Sequence, residues 1–130
     1  MKYIFDSSAI FRAVEKGLHS KLDGSYTLTL ARYELGNIVL CEGKIHKRIN
    51  TAEQYEISKS FEKMLKFMHL VEIEGVIGNI IKTANETNSS FYDASYIYYS
   101  KITGMPLVTE DTKLANRIGT YVKVVNIAEI

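Results

Sequence analysis

The sequence predicts an α/β protein: a three-layer α/β/α sandwich around a central, mostly parallel sheet. Two patterns point there. Short apolar runs alternate with longer amphipathic stretches along nearly the whole chain, and strand and helix in near-strict alternation imply parallel strands joined by helical crossovers. The chain also shows no repeat, no low-complexity block and no linker. It has one proline, Pro106, and eight scattered glycines, so residues 1–130 are read as a single domain.

The elements follow in order. Lys2–Phe5 (KYIF) is a short buried strand. Ser7–Lys16 places Ala9, Ile10, Ala13 and Val14 at helical spacing and stops near Gly17. Ser25–Leu30 alternates and carries β-branched and aromatic residues, the mark of a strand. Ala31 to about Ile45 is a helix with Leu35, Ile38 and Val39 inward and Gly43 near its end. A helix over Thr51–Met68 sets Tyr55, Ile57, Phe61, Met64, Leu65 and Met68 on one side, and Thr51 with Gln54 makes a capping-box pattern. His69–Glu74 is a brief strand, Val76 to about Glu86 a helix, and Ser90–Thr103 another, closed by Gly104. Leu107–Thr109, Thr112–Ile118 and Val122–Ile127 complete the alternation as strand, short helix and strand.

Composition narrows the class. Hydrophobic residues make up 46% and charged residues 24%, a balance that excludes a disordered or collagen-like chain. The lone Cys41 has no internal disulfide partner, which suits a reducing cytoplasm and a small apolar role on its helix. The N-terminal run carries Asp6, against an export signal, and no apolar stretch reaches the length of a membrane span. Sixteen basic residues against fifteen acidic ones give +1. With four carboxylates committed to a cation, eleven acids remain against sixteen bases, a balance of +5 that suits a polyanionic substrate.

Four acids fall where ligands of parallel sheets bind, beyond the carboxyl ends of strands. Asp6 follows the first strand; Asp111 follows the strand LVT, with Glu110 between. Glu34 lies in the first turns of the helix after SYTLTL, and Asp93 in the first turn after ETNSS. Taken singly each has a plain structural role: Asp6 and Asp111 as helix caps or turn residues, Glu34 and Asp93 as acids favoured by a helix N-terminus. Taken together they make a set of hard oxygen donors of the kind Mg²⁺ and Mn²⁺ prefer. Gathering four carboxylates without a cation raises their pKa values. His19, His46 and His69 lack zinc-ligand spacing.

The segments YIFDSSAIF, YELGN, FYDASYIYYS and LVTEDTKLA, in this order, resemble the PIN domain, and in particular the small prokaryotic VapC-type toxins. The resemblance covers essentially the whole chain. It implies a PIN-like α/β/α fold and a metal-dependent endoribonuclease with Asp6, Glu34, Asp93 and Asp111 as its acidic set. Asp6 and Asp93 are the two most expected to touch Mg²⁺ or Mn²⁺. Ser8, Asn37 and Thr109 match supporting positions, and Glu110 is expected to point elsewhere. Water attack in line with the scissile phosphate would leave a 5′-phosphate and a 3′-hydroxyl. The resemblance further implies an RNA substrate, a homodimer and a cognate VapB-like antitoxin whose tail occupies the active-site groove.

Other features carry two readings. Lys44, His46, Lys47 and Arg48 are either a solvated helix end or a contact to RNA phosphates. Tyr92, Tyr96 and Tyr99 share a helical face and are read as core or dimer interface, with base stacking as the alternative. A non-catalytic PIN-like module that binds RNA or protein is the competing function. A receiver domain is disfavoured, because Ser7 and Ser8 stand where a second acid is needed.

Overall fold

A computed structural model of the chain describes residues 2–130. Five strands form one sheet in the order β3-β2-β1-β4-β5, every neighbouring pair parallel. They are β1 (Ile4–Phe5), β2 (Tyr26–Leu28), β3 (His69–Val71), β4 (Leu107–Val108) and β5 (Val124–Val125). Each is shorter than the apolar run that encodes it, because the pairing registers engage only two or three residues: Ile4 opposite Tyr26 and Leu107, and Thr27 opposite Leu70.

Six helices cover the sheet: α1 (Ser7–Glu15), α2 (Leu30–Lys44), α3 (Thr51–Lys66), α4 (Ile77–Thr87), α5 (Phe91–Thr103) and α6 (Thr112–Ile118). Two apolar clusters lie against it. One joins Phe5 and Val108 to Ala9, Ile10, Leu35, Val39, Phe61 and Leu65 of α1, α2 and α3. The other joins Ile4, Leu28 and Leu107 to Tyr96, Ile97, Leu114 and Ile118 of α5 and α6. Adjacent residues of one strand, Ile4 and Phe5, thus feed opposite cores, as the two-residue period of a strand requires. The three-layer parallel sandwich expected from the sequence is what the chain forms.

Chain order sets the functional edge. The chain runs outward from β1 through β2 to β3, then returns across the sheet to place β4 on the other side of β1. The gap between the ends of β1 and β4 is therefore the topological switch point, where open parallel sheets bind ligands.

The helix ends are where the structure departs from expectation. The cap of α3 is Asn50, which accepts a hydrogen bond from Glu53 N at 2.8 Å while the Glu53 carboxylate receives Asn50 N at 3.1 Å. The capping box therefore sits one residue before the Thr51–Gln54 pair. Tyr55 is exposed rather than part of the inward face, and Cys41 is half-buried. The side-chain amide of Gln54 lies over Gly43, where a Cβ would meet it at 2.0 Å and make that flexible side chain move. Gly104 ends α5 in the left-handed conformation, φ 75°, as its sequence position implies. Among the described residues no helix is long and apolar enough to cross a membrane.

Because the reciprocal cap belongs to Asn50, Asn50→Ala should cost about 1 kcal/mol of stability. Thr51→Ala should change it by less than about half of that. Urea unfolding of both variants checks this.

Candidate functional site

Asp6 is the first piece of the site. It stands one residue past β1 and caps α1: its Oδ1 accepts from Ala9 N at 3.0 Å and from Ser8 Oγ at 2.6 Å. Its N–H donates to the carbonyl of Val108, which ties it to β4. The Ser8 hydroxyl lies 3.3 Å from Thr109 Oγ1 and also accepts from Glu110 N at 3.0 Å. Thr109 Oγ1 in turn accepts from Asp111 N at 3.1 Å. Two hydroxyls thus lock the ends of β1 and β4 together across the switch point. Ser8 and Thr109 sit where the sequence placed them.

Asp111 begins α6 and caps it, accepting from Leu114 N at 3.0 Å. Its neighbour Glu110 turns away and receives the N–H of Ile127 at 2.8 Å, as expected. Asp93 lies in the first turn of α5, whose cap Ser90 accepts from Asp93 N at 3.1 Å. Glu34 lies in the second turn of α2, half-buried, and receives the phenol of Tyr96 at 2.7 Å.

The electrostatics connect the four. Only 7% of Asp6 is exposed, and burial pushes its carboxyl from the ordinary 3.8 up to about 6. The hydrogen bonds from Ser8, Thr109 and Ala9 oppose that rise, and the charge of Asp93 adds to it. Burial raises Glu34, and the charge of Asp93 raises it further, against hydrogen bonds from Tyr96 and Ser7. Burial also raises Asp93, with a further push from Asp111 and relief from Arg117 and Ser90. Asp93 is therefore the acid that feels or is felt by each of the other three. Among the described residues no three carboxylate, imidazole or thiol groups lie together as a set that could hold a metal ion. The donor types still suit a hard divalent cation: all are carboxylate oxygens, Asp6, Glu34 and Asp93 are desolvated by burial and Asp111 is exposed, and Arg117 relieves Asp93.

Three features escaped the sequence reading. Tyr96 is 2% exposed and belongs to the core as expected, yet its hydroxyl is spent on Glu34. Arg117 reaches back from α6 to Thr87 O at 3.2 Å and Ser89 Oγ at 3.3 Å, which brings a charge near Asp93 from 24 residues away. Ser7 supports Glu34. A hydroxyl beside an acid motif was the available signal for Ser7; nothing local marks Arg117.

Other candidates lie elsewhere. Asn37 is exposed one turn beyond Glu34. Lys44, Lys47 and Arg48 cluster after the far end of α2. Ten residues separate Glu34 from Lys44, about 15 Å along the helix axis, and Arg48 pairs with Glu42 at 3.3 Å. The helix that brings Glu34 to the sheet edge carries the basic cluster away from it. Of the tyrosine face only Tyr96 is fully buried; Tyr99 is half-buried and Tyr92 is exposed.

Sheet order, switch-point acids and helix layers define a PIN-like α/β protein. No protein-family model matches the chain. Exonuclease VapC9 of Pyrobaculum aerophilum is 27% identical over 117 residues, 88% of this chain and 84% of that protein. The crystal structure of PAE2754 from Pyrobaculum aerophilum superposes with a TM-score of 0.81 at 24% identity, over 99% of this chain and 91% of that one. A toxin–antitoxin complex from Klebsiella pneumoniae gives 0.66 at 15% identity, covering 95% of each chain. VapBC-1 from nontypeable Haemophilus influenzae gives 0.63 at 14%, covering 97% of this chain and 98% of that one. In sequence the chain is similar to a VapC nuclease, and its fold is that of these solved structures.

The raised Asp6 carboxyl has a consequence for stability without metal. A carboxyl whose pKa is higher when folded stabilises the fold fully below pH 3.8, and that stability is lost as pH rises through about 6. Its share is about 3 kcal/mol. In EDTA the wild type should therefore lose more stability between pH 4 and pH 7 than Asp6→Asn, which keeps the cap. Urea unfolding across that range measures it; parallel curves for the two proteins would contradict the assignment.

Proposed function

We propose that this chain is a metal-dependent endoribonuclease, the toxin of a VapBC-type toxin–antitoxin pair. The observation that supports the reading is that burial raises Asp6, Glu34 and Asp93, and that Asp93 is coupled by charge to Asp6, Glu34 and Asp111, with Asp6 and Asp111 just past the ends of β1 and β4. The relationship to VapC9 supports nuclease chemistry, and the likeness to two toxin–antitoxin assemblies supports an antitoxin partner.

In this reading Asp6 and Asp93 hold Mg²⁺ or Mn²⁺, with Glu34 and Asp111 supporting through water or a second ion. A bound divalent ion supplies charge neutralisation, polarises a phosphodiester oxygen and lowers the pKa of a water. The chain's own part is to keep the acids ionised and aimed. Ser8 and the Ala9 N–H fix Oδ1 of Asp6, and Thr109 is a further hydroxyl partner of the same carboxylate. Tyr96 holds Glu34 from the core side, and Thr109 orients the turn that carries Asp111. Asn37 is a candidate support from the exposed side of α2. A homodimer and a cytoplasmic location complete the proposal. Lys44, Lys47 and Arg48 have no part at the scissile phosphate; a distal stretch of RNA is the contact left to them.

The test is cleavage of a mixed RNA pool, with a circular RNA included because the VapC9 relative is named an exonuclease. Cutting of linear and circular RNA in Mg²⁺ or Mn²⁺, abolished by EDTA and reduced at least about a hundredfold by Asp6→Asn or Asp93→Asn, is the expected result. Cutting of linear RNA alone would replace the endonuclease reading by an exonuclease one. RNA binding without cutting would favour the non-catalytic module.

A further inference from the structure

An apolar cleft of about 220 Å³, lined in part by the chain neighbours of Glu34 and Asp93, is left unused by the catalytic reading. Leu28, Val71 and Ile73 line it from the sheet side, Tyr33 from α2, and Phe91 and Tyr92 from α5. Tyr33 is 80% exposed and Tyr92 60%, so two aromatic rings stand open to solvent. Phe91 meets Tyr92 edge-on, with ring centroids 6.4 Å apart.

The placement of these rings is tied to the acids. Tyr33 directly precedes Glu34, and Tyr92 directly precedes Asp93. Successive Cα atoms are about 3.8 Å apart, and successive side chains on a helix point about 100° apart. Each helix thus offers an acid to the sheet edge and, one residue earlier, an aromatic ring to the cleft. A folded core gains nothing from leaving two tyrosines open around an apolar hollow. A planar, weakly polar group next to a phosphodiester gains a stacking surface.

We infer that this cleft is a nucleobase subsite: a base flanking the scissile phosphate of single-stranded RNA stacks against Tyr92 and Tyr33. The inference rests on the nuclease reading for its phosphate position. It adds the element that would let the site prefer one base next to the cut. At about 220 Å³ the cleft suits a single ring system rather than a helix of a partner protein, and Leu28 and Val71 are among the residues that line it.

The experiment uses short single-stranded RNAs with 2-aminopurine moved through each position, mixed with the full chain and Mn²⁺. Fluorescence quenching reports stacking, and cleavage is followed on the same samples. The expected result is quenching at one position adjacent to the cut. Affinity should fall about tenfold in Tyr33→Ala and in Tyr92→Ala, and be kept in Tyr92→Phe, which retains the ring. Both alanine sites are exposed, so circular dichroism should be unchanged. Binding and cleavage indifferent to both alanine substitutions would overturn the subsite and leave the nuclease reading standing. Tyrosine-dependent quenching without cleavage would uphold the subsite and overturn the nuclease. Neither binding nor cleavage would overturn both. Alanine variants that still cut RNA but no longer bind a purified antitoxin would assign the rings to the protein partner and overturn the base subsite.

Discussion

The buried Asp6 carboxylate is the interaction on which the rest of the structure turns. It ends β1, starts α1, and through Ser8 and Thr109 reaches the end of β4. One side chain thus joins three elements at the switch point. The same burial that makes it a good cap makes its charge costly, and neighbouring Asp93 increases that cost. Fold and proposed chemistry pull in opposite directions here. A neutral residue would suit the isolated fold better, whereas an ionised one is what a cation or a polarised phosphate requires.

The sheet order gathers the remaining acids. Because every strand is parallel, every strand ends on the same side, and the helices that follow begin there. A residue just past β1 or β4, or in the first turns of α2, therefore arrives at one edge without any long-range contact specifying it; α5, which follows α4, is the element that leads the chain back into β4. The second core then tightens the arrangement. Tyr96 is packed with Ile4, Leu28 and Ile97, and its phenol projects from that core to Glu34. Apolar packing is in this way converted into the aim of a carboxylate. Arg117, held by Thr87 and Ser89, moderates the charge of Asp93 from the opposite flank.

How much of this was legible in the sequence depends on range. The alternation of elements and the acids after strands are local patterns, and both appear in the fold where they were read. Helix ends were less exact. Thr51–Gln54 and Asn50–Glu53 both satisfy a capping pattern, and only the extended backbone of Asn50 decides between them. The Tyr92, Tyr96 and Tyr99 face was read as one surface, yet helix α5 crosses the sheet edge, so its first turn is open and its middle is buried. The basic cluster after α2 was read as a solvated helix end or a contact to RNA phosphates. Helix length carries it about 15 Å along α2 from Glu34. Tyr96 bonds Glu34 across 62 residues and the charge of Arg117 acts on Asp93 across 24, which no spacing rule reveals.

The most direct test of a shared cation site is thermal unfolding with and without Mn²⁺ at pH 7, on wild type, Asp93→Asn and Glu110→Gln. An ion that binds the folded state alone raises the midpoint in proportion to its affinity. A single site centred on Asp93 requires a Mn²⁺-dependent rise in wild type, the same rise in Glu110→Gln, whose carboxylate faces Ile127, and little or none in Asp93→Asn. An equal rise in Asp93→Asn, or none in wild type, would contradict the convergence of the four acids on one ion.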